Sequence, residues 1–290
     1  MDNPFSDNYF DSDDIELVRF VLAGDKKALQ NLILRHQVYI YNLALKMTRN
    51  TQDAEDLTQE VFIKAITALS KFEGKSQFRT WLYRIAVNHF LSAKRKKSEL
   101  VITDFQNYFD SIDAMPDNDV NDQEENQLSE SIEEIRISCT AGMLLCLDRE
   151  QRIIYILGEM FEIDHKLGSE ILGISTGNFR IRLMRARQDL YNWMNKRCGL
   201  VNKSNPCRCA KKTRAYIEAG FVDPGNLKFN TGYRNRIYEL SKEKALAISN
   251  TVEDLYKNIF QQHPMQEPVT TTKITDEILN NDLIKLILNS

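Results

Sequence analysis

The chain has 290 residues, 42% of them hydrophobic and 27% charged, a composition that suits a globular protein with a sizeable core and, as a prior, about two domains. The opening MDNPFSDNYFDSDD lacks the basic start and apolar run of a secretion signal, and no apolar stretch approaches the ~18 residues of a membrane span, so a cytoplasmic location is expected. The formal net charge of −3 hides a segregation: Ser98 to Ile135 holds twelve Asp/Glu and no Lys or Arg, so the rest of the chain is net basic, as a nucleic-acid binder requires.

From Asp14 to Lys97 apolar residues recur at steps of three and four: Leu17, Phe20 and Val21, then Leu29, Leu32 and Ile33, then Tyr39, Ile40, Leu43 and Leu45. Three or four helices are expected there. Asn50 or Thr51 can cap a helix whose first turn holds Asp53, Glu55 and Asp56, where carboxylates suit the positive end of the helix dipole. Leu57, Val61, Phe62, Ala65, Ile66 and Leu69 make its apolar stripe, and Asp53, Asp56 and Glu60 lie on the wetter side. By itself that side reads first as a solvated face and second as a docking face for a basic partner.

Gly74, Lys75 and Ser76 then make a loop, and Thr80 starts a helix with Leu82, Ile85, Ala86 and His89 facing inward and Arg84, Asn88, Leu91 and Arg95 on another face. Phe72, Phe78, Trp81 and Tyr83 surround the loop and first turn, where an unpaired base can stack on a ring. Lys94, Arg95, Lys96 and Lys97 at the end of the helix suit phosphates. The competing reading makes the rings core and the cations a solvated helix end.

The tract Thr103 to Ser131, rich in Asp, Asn, Glu and Ser and carrying Pro116, reads as a linker of low order. Helical patterning resumes from about Ile132 to Lys196. A short helix from about His165 to Leu172, a turn at Gly173-Ile174-Ser175 and a longer helix from Thr176 form a helix-turn-helix signature. Phe179, Leu183, Ala186, Leu190 and Trp193 supply a buried stripe, which leaves Arg180, Arg182, Arg185 and Arg187 to face outward; their forks suit guanine edges and phosphates.

Beyond Lys196, Cys198, Cys207 and Cys209 fall in a C-x8-C-x-C pattern, one ligand short of a structural zinc site; a fourth could come from His165, Cys146 or another region, but nothing in the sequence selects it, and three reduced cysteines beside a basic loop are the first reading. Five cysteines, an odd number without a secretion signal, favour reduced thiols, with a redox switch as a third reading. Amphipathic helices are expected at about Thr213 to Gly220, Arg236 to Gln261 and Thr275 to Leu288. The register Ile237, Leu240, Ala245, Ile248, Val252, Leu255 and Ile259 needs a surface to bury against. Either the extension covers the DNA-binding modules in cis, or it belongs to the core of the second domain.

Two stretches resemble the extracytoplasmic-function group of bacterial RNA polymerase sigma factors. DAEDLTQEVFIKAITALSKFEGKSQFRTWLYRIAVNHFLSAKRKK is similar to their region 2, and CLDREQRIIYILGEMFEIDHKLGSEILGISTGNFRIRLMRARQDLYNWM to their region 4. In the second, Gly173, Gly177, Phe179, Arg180, Arg182, Leu183, Arg185, Ala186 and Arg187 match, while Asn178, Ile181 and His165-Lys166-Leu167-Gly168 depart from the usual pattern. The promoter sequence read by the family therefore does not transfer.

The resemblance implies an all-α protein with region 2 at 14–97, an acidic flexible linker at 98–135, region 4 at 136–197 and a helical extension at 198–290. It implies that Asp53, Glu55, Asp56, Gln59 and Glu60 bind the clamp helices of the polymerase large subunit. Phe72, Lys75, Phe78, Arg79, Trp81, Arg84, Asn88 and Arg95 would serve the minus-ten element, with the Phe72 to Phe78 loop, Arg84 and Asn88 holding its flipped non-template base. Thr176, Asn178, Arg180, Arg182, Arg185 and Arg187 would serve the minus-thirty-five element. Core polymerase and promoter DNA are the expected partners, with an anti-sigma factor left open as a third. Four scattered histidines and no nucleophile-base pair or phosphate loop argue against an enzyme, and no cofactor is expected. The rival reading is a stand-alone helix-turn-helix regulator with a helical dimerisation or sensing domain.

Overall fold

The computed structural model describes residues 4–5, 9–95, 99, 102, 104–228, 252–266, 268 and 271–288. The expected helix start at Arg236, with Ile237, Leu240, Ala245 and Ile248, and the cations Lys96 and Lys97 lie outside these residues. Among the described residues the chain is all-α, and its β pairing is one isolated bridge. Contacts divide it into two compact units: Met1–Leu100 with Arg149–Met184 and Met265–Ser290, and Val101–Asp148 with Arg185–Pro264. That division cuts across the one expected from sequence, since the helix-turn-helix groups with the first module.

The first unit starts with helices α1 (Asp11–Leu22), α2 (Lys26–Thr48), α3 (Thr51–Thr67) and α4 (Phe78–Ser92). Asp25 starts α2 by accepting from the backbone N–H of Lys27 at 2.8 Å and of Ala28 at 3.1 Å; Asn50 starts α3 by accepting from Asp53 N–H at 2.9 Å. Arg49, in the left-handed region at φ 57°, ends α2 and turns the chain into α3.

Leu29, Ile33, Ile40, Leu43, Val61, Leu82 and Ala86 are among the core residues of these helices. The buried Asp14 is matched by Arg35 Nε at 2.8 Å and His36 Nε2 at 2.9 Å. The unit is completed by two later pieces of chain. One is the helix-turn-helix; the other is a pair of C-terminal helices whose Ile274, Ile278, Ile284 and Leu288 enter the same core. Asn42 fixes the second piece by donating to the Gln266 carbonyl at 2.7 Å and accepting from its N–H at 2.9 Å.

The second unit contains α5 (Phe105–Asp113), α6 (Asp122–Gln127) and α7 (Ser129–Leu145). The tract expected to be a flexible linker is therefore largely helical where it is described. Asp104 caps α5 by accepting from Asn107 N–H at 2.8 Å, and Phe105, Phe109 and Ile112 at i, i+4 and i+7 give the helix a buried face. Asn121 and Glu124 form a capping box on α6. Asp110 and Asp113 are exposed on α5, and Asp122, Glu124 and Glu125 lie in the first turn of α6, where carboxylates are at home.

The remaining elements are α8 (Arg149–Tyr155), running into a π turn at Ile156–Met160, then α9 (His165–Leu172), α10 (Thr176–Arg197), α11 (Cys209–Glu218), α12 (Val252–Gln261), α13 (Thr271–Asn280) and α14 (Asp282–Leu288). The units share α10, which contributes its first half to one and its second half to the other.

Candidate nucleic-acid and polymerase interfaces

Helix α3 buries Ala54, Leu57, Thr58, Val61, Phe62, Ala65 and Ile66, so its expected apolar stripe is its packed face. Asp56 and Glu60 are exposed, and Asp53, Glu55 and Gln59 are half-buried along the same side. Glu60 reaches His89 Nε2 of α4 at 2.8 Å, while Lys64 Nζ stands 2.6 Å from His89 Nδ1. Burial first, and the Glu55 carboxylate second, push the Tyr41 hydroxyl up to about 12.

The head of α4 and the loop before it enclose an open cleft of about 430 Å³, lined by Phe72, Lys75, Trp81, Arg84 and Glu170 among others. Phe72 and Trp81 are half-buried and lie 5.4 Å apart by ring centroid, with Lys75, Arg84 and Asn88 exposed nearby in sequence and on the helix. Of the four rings expected around the loop and first turn, two are not at the surface. Phe78 and Tyr83 are core residues at 2% and 0% exposure, so neither ring is available to a base. Phe78 packs on Phe72 and Trp81 from beneath, at 5.5 and 5.7 Å.

Arg79 is also engaged internally: it donates to the Pro4 carbonyl at 2.7 Å and sits 5.0 Å from the Tyr9 ring centroid. Lys94 and Arg95 are exposed beyond the end of α4.

Helices α9 and α10 meet through a close approach that depends on Gly168. A Cβ there would come within 2.6 Å of the Phe179 ring. The departure from the usual family pattern at residues 165–168 thus has a packing consequence. Gly173, at φ 67°, supplies the left-handed turn. Phe179, Leu183, Ala186 and Leu190 are buried as expected; Trp193 is only half-buried and Met194 fills the innermost place.

Of the four arginines, Arg180 and Arg185 are exposed, and Arg182 and Arg187 half-buried. Arg182 pairs with Glu150 and donates from Nε to Asn178 Oδ1 at 3.0 Å; Arg180 Nε faces His165 Nδ1 at 3.2 Å. Ile181 and Met184 are exposed on the same helix, apolar side chains that sequence reasoning did not assign. Thr176 shares a 3.1 Å hydroxyl contact with Ser169. Arg84 of α4 donates to the Glu170 carbonyl at 2.5 Å.

In the second unit burial, reinforced by the neighbouring thiols, pushes Cys207 up to about 11 and Cys209 up to about 12. Cys139 is raised well above the usual thiol range for the same two reasons, and Cys198 is raised by burial. Among the described residues no three His, Cys, Asp or Glu side chains stand in a closed metal-holding array. His165 faces Arg180 and Phe179, and Cys146 donates to the Gly142 carbonyl at 3.8 Å. Cys139, on α7, is the thiol that neighbours Cys198, Cys207 and Cys209.

A helical chain with a helix-turn-helix and an aromatic cleft beside cations has the build of a DNA-binding protein. Residues 32–99 match the model of sigma-70 region 2. The RNA polymerase sigma-H factor of Pseudomonas aeruginosa is 31% identical over 180 residues, which cover 60% of this chain and 90% of that protein. The ECF RNA polymerase sigma-E factors of Haemophilus influenzae and Escherichia coli K12 are each 32% identical, over 94% and 91% of their lengths and 62% and 61% of this chain. The chain belongs to the extracytoplasmic-function RNA polymerase sigma factors, proteins that direct transcription initiation.

Proposed function

We propose that this chain is the dissociable specificity subunit of RNA polymerase and that the division of labour follows its surfaces. The side of α3 bearing Asp53, Glu55, Asp56, Gln59 and Glu60 docks on the polymerase clamp helices. The cleft at Phe72, Trp81 and Arg84, with Lys75 and Asn88, takes an unpaired base of the minus-ten element. The start of α10, through Thr176, Asn178, Arg180, Arg182, Arg185 and Arg187, meets the minus-thirty-five element. Residues 14–97 and 136–197 carry the two promoter contacts. The chain works in the cytoplasm and performs no covalent chemistry, and an anti-sigma factor remains an open third partner. Among the described residues no helix is long and apolar enough to cross a membrane.

One observation carries this reading. The acidic side and the cleft belong to consecutive helices packed on one core, so a polymerase held by α3 has the cleft at a fixed offset from it. Glu170 walls the cleft, and its carbonyl accepts from Arg84 on the opposite lining. The direct test is transcription in vitro by core polymerase, with and without the full chain, on a promoter library. Asp56→Lys with Glu60→Lys should weaken core binding with an unchanged circular dichroism spectrum. Unchanged core association would remove α3 from the interface.

A further inference from the structure

The side that α10 turns outward is set by two close approaches on its buried side. Phe179 rests on the bare backbone at Gly168 of α9. Leu183 rests in the same way on Gly158 of the π turn, where an added Cβ would come within 2.7 Å of a Leu183 methyl. Ile154 packs with both side chains in one buried cluster. Rolling α10 about its axis breaks both contacts at once, so the opposite side of its first turns is fixed as well.

Gly177, Ile181 and Met184 follow one another at i, i+4 and i+7. That is the spacing of the buried Phe179, Leu183 and Ala186 begun two residues earlier, which on an α-helix lies about 200° away. All three are exposed, Ile181 at 49% and Met184 at 47%. Arg180 and Arg182 stand one residue to each side of Ile181 and so point about 100° to its left and right. Each has a neighbour on its own flank: Arg182 donates to Asn178 Oδ1 at 3.0 Å and pairs with Glu150, and Arg180 Nε faces His165 Nδ1 at 3.2 Å. The centre of the outward face is thus apolar, with cations at its edges.

A helix laid in a major groove with arginines on both flanks turns those cations towards the phosphates and its central residues towards the base edges. Isoleucine has no donor or acceptor with which to read guanine, adenine or cytosine. The apolar group that a base pair presents in that groove is the thymine C5 methyl. Ile181 is β-branched and holds one strongly preferred rotamer in a helix, so its methyls are in place before DNA arrives; Met184, one turn on, is adaptable enough to cover the side of the contact. Arg180, Arg182 and Arg185 around the pair suit a polyanion rather than an apolar protein surface. We propose that Ile181 selects a thymine in the minus-thirty-five element through the C5 methyl of that base. The proposal rests on the reading that the start of α10 meets this element. Ile181 is one of the residues that depart from the usual family pattern, so the preference is particular to this chain.

The test uses holoenzyme assembled from core polymerase and the full chain, with selection from duplexes randomised across the minus-thirty-five element. The wild-type chain should enrich thymine at one or more positions, and I181S should lose one of these preferences while keeping the rest of the selected sequence. Deoxyuridine placed at each enriched thymine in turn removes one methyl at a time from the preferred duplex. At the position that I181S releases, it should weaken wild-type binding about fourfold, the worth of one methyl group withdrawn from water, and leave binding by I181S unchanged. The deoxyuridine arm uses the unaltered chain, so it stands whether or not I181S folds. Wild-type binding indifferent to deoxyuridine at every enriched thymine would overturn the proposal and leave α10 on the element; so would an I181S selection identical to the parent's. Enrichment of no sequence at all would remove α10 from the element and the proposal with it.

Discussion

In the first unit, long helices bury a nearly continuous aliphatic interior, with Leu29, Ile33, Leu43, Val61 and Leu82 interleaved and the later Ile153, Ile171, Ile278 and Ile284 added to it. The second unit relies on shorter helices and on flat rings. Trp193 stacks on Phe105 and Phe109 at 5.7 and 6.1 Å with interplanar angles of 8° and 11°, and Tyr191 stacks on Tyr256 at 4.1 Å. Polar ties supplement the stacks: Arg197 to Asp113 at 2.6 Å, Arg214 to Glu124 at 2.5 Å and Thr140 to His263 at 2.6 Å. A core built from many interchangeable aliphatic contacts tolerates the loss of one of them better than a core hung on a few rings.

The largest expected effect is therefore in the second unit. Phe109→Ala should cost about 3–5 kcal/mol, near the top of the range for a buried aromatic, because the ring lies between α5 and Trp193. Ile278→Ala, in the helix that completes the first unit, should cost about 2–5 kcal/mol. Denaturant unfolding of both variants, followed by Trp193 and Trp81 fluorescence, checks the pair. Equal losses from both would erase the distinction between the two cores. The Ile278 variant also separates two roles for the extension. Its C-terminal helices enter the core of the first unit, so their loss should appear as lower stability before any gain in DNA affinity.

Lys46 offers a test of opposite sign. It is buried on α2, and burial lowers its ammonium from 10.5 to about 8. Between those two values the unfolded chain binds more protons than the folded one, so stability from this group rises with pH through that window; below about 8 the full cost of burying the charge is present. Lys46→Met should stabilise the chain at neutral pH by about 3 kcal/mol at most and flatten the rise between pH 8 and 10.5. A variant no more stable than the parent at pH 7 would show that the ammonium is satisfied where it lies.

At the recognition helix the contrast is between two arginines on one surface. Arg185 is exposed, whereas Arg182 is already held by Glu150 and Asn178. Arg185→Ala should weaken binding to the minus-thirty-five element by about 1–3 kcal/mol if it reads a base, and Arg182→Ala by less, since its contacts within the chain must first be given up. Fluorescence anisotropy with promoter duplexes ranks the two, and the reverse ranking would mean that the Glu150 pair positions Arg182 for DNA.

How far the sequence foretold these features depended on how far apart the partners lie along the chain. The stripes of α3 and α10, the cap at Asn50 and the glycine turn at Gly173 rest on residues within a few positions of one another, and periodicity exposes them. Helix α5 was hidden because Asp104, Asp110 and Asp113 made its neighbourhood resemble a linker, although Phe105, Phe109 and Ile112 keep helical register. Cys139 could not be joined to Cys198, Cys207 and Cys209 at all, because its connection is the packing of α11 on α7. The grouping of the helix-turn-helix and the C-terminal helices with the first unit is likewise a matter of long-range burial. The sequence did carry one overlooked signal at the cleft: Phe78 and Tyr83 share the helical face of Leu82 and Ala86 closely enough to be core.

That last point yields the smallest and sharpest prediction, a comparison of two rings two residues apart on α4. Trp81 lines the cleft and is half-buried; Tyr83 is wholly buried, its hydroxyl has no hydrogen-bond partner among the described residues, and burial raises that hydroxyl well above its usual range. Removing an unsatisfied buried hydroxyl while keeping the ring is nearly neutral or stabilising, so Tyr83→Phe should change stability by no more than about 1 kcal/mol, in the stabilising direction, and leave promoter opening unchanged. Trp81→Ala should instead reduce opening, since a stacked base is worth about 1–3 kcal/mol. Permanganate reactivity of the minus-ten region, read beside a denaturation curve for each variant, distinguishes the two roles. Impaired opening by Tyr83→Phe at parental stability would mean that the buried hydroxyl is exposed during initiation, and that the core beneath the cleft opens with the DNA.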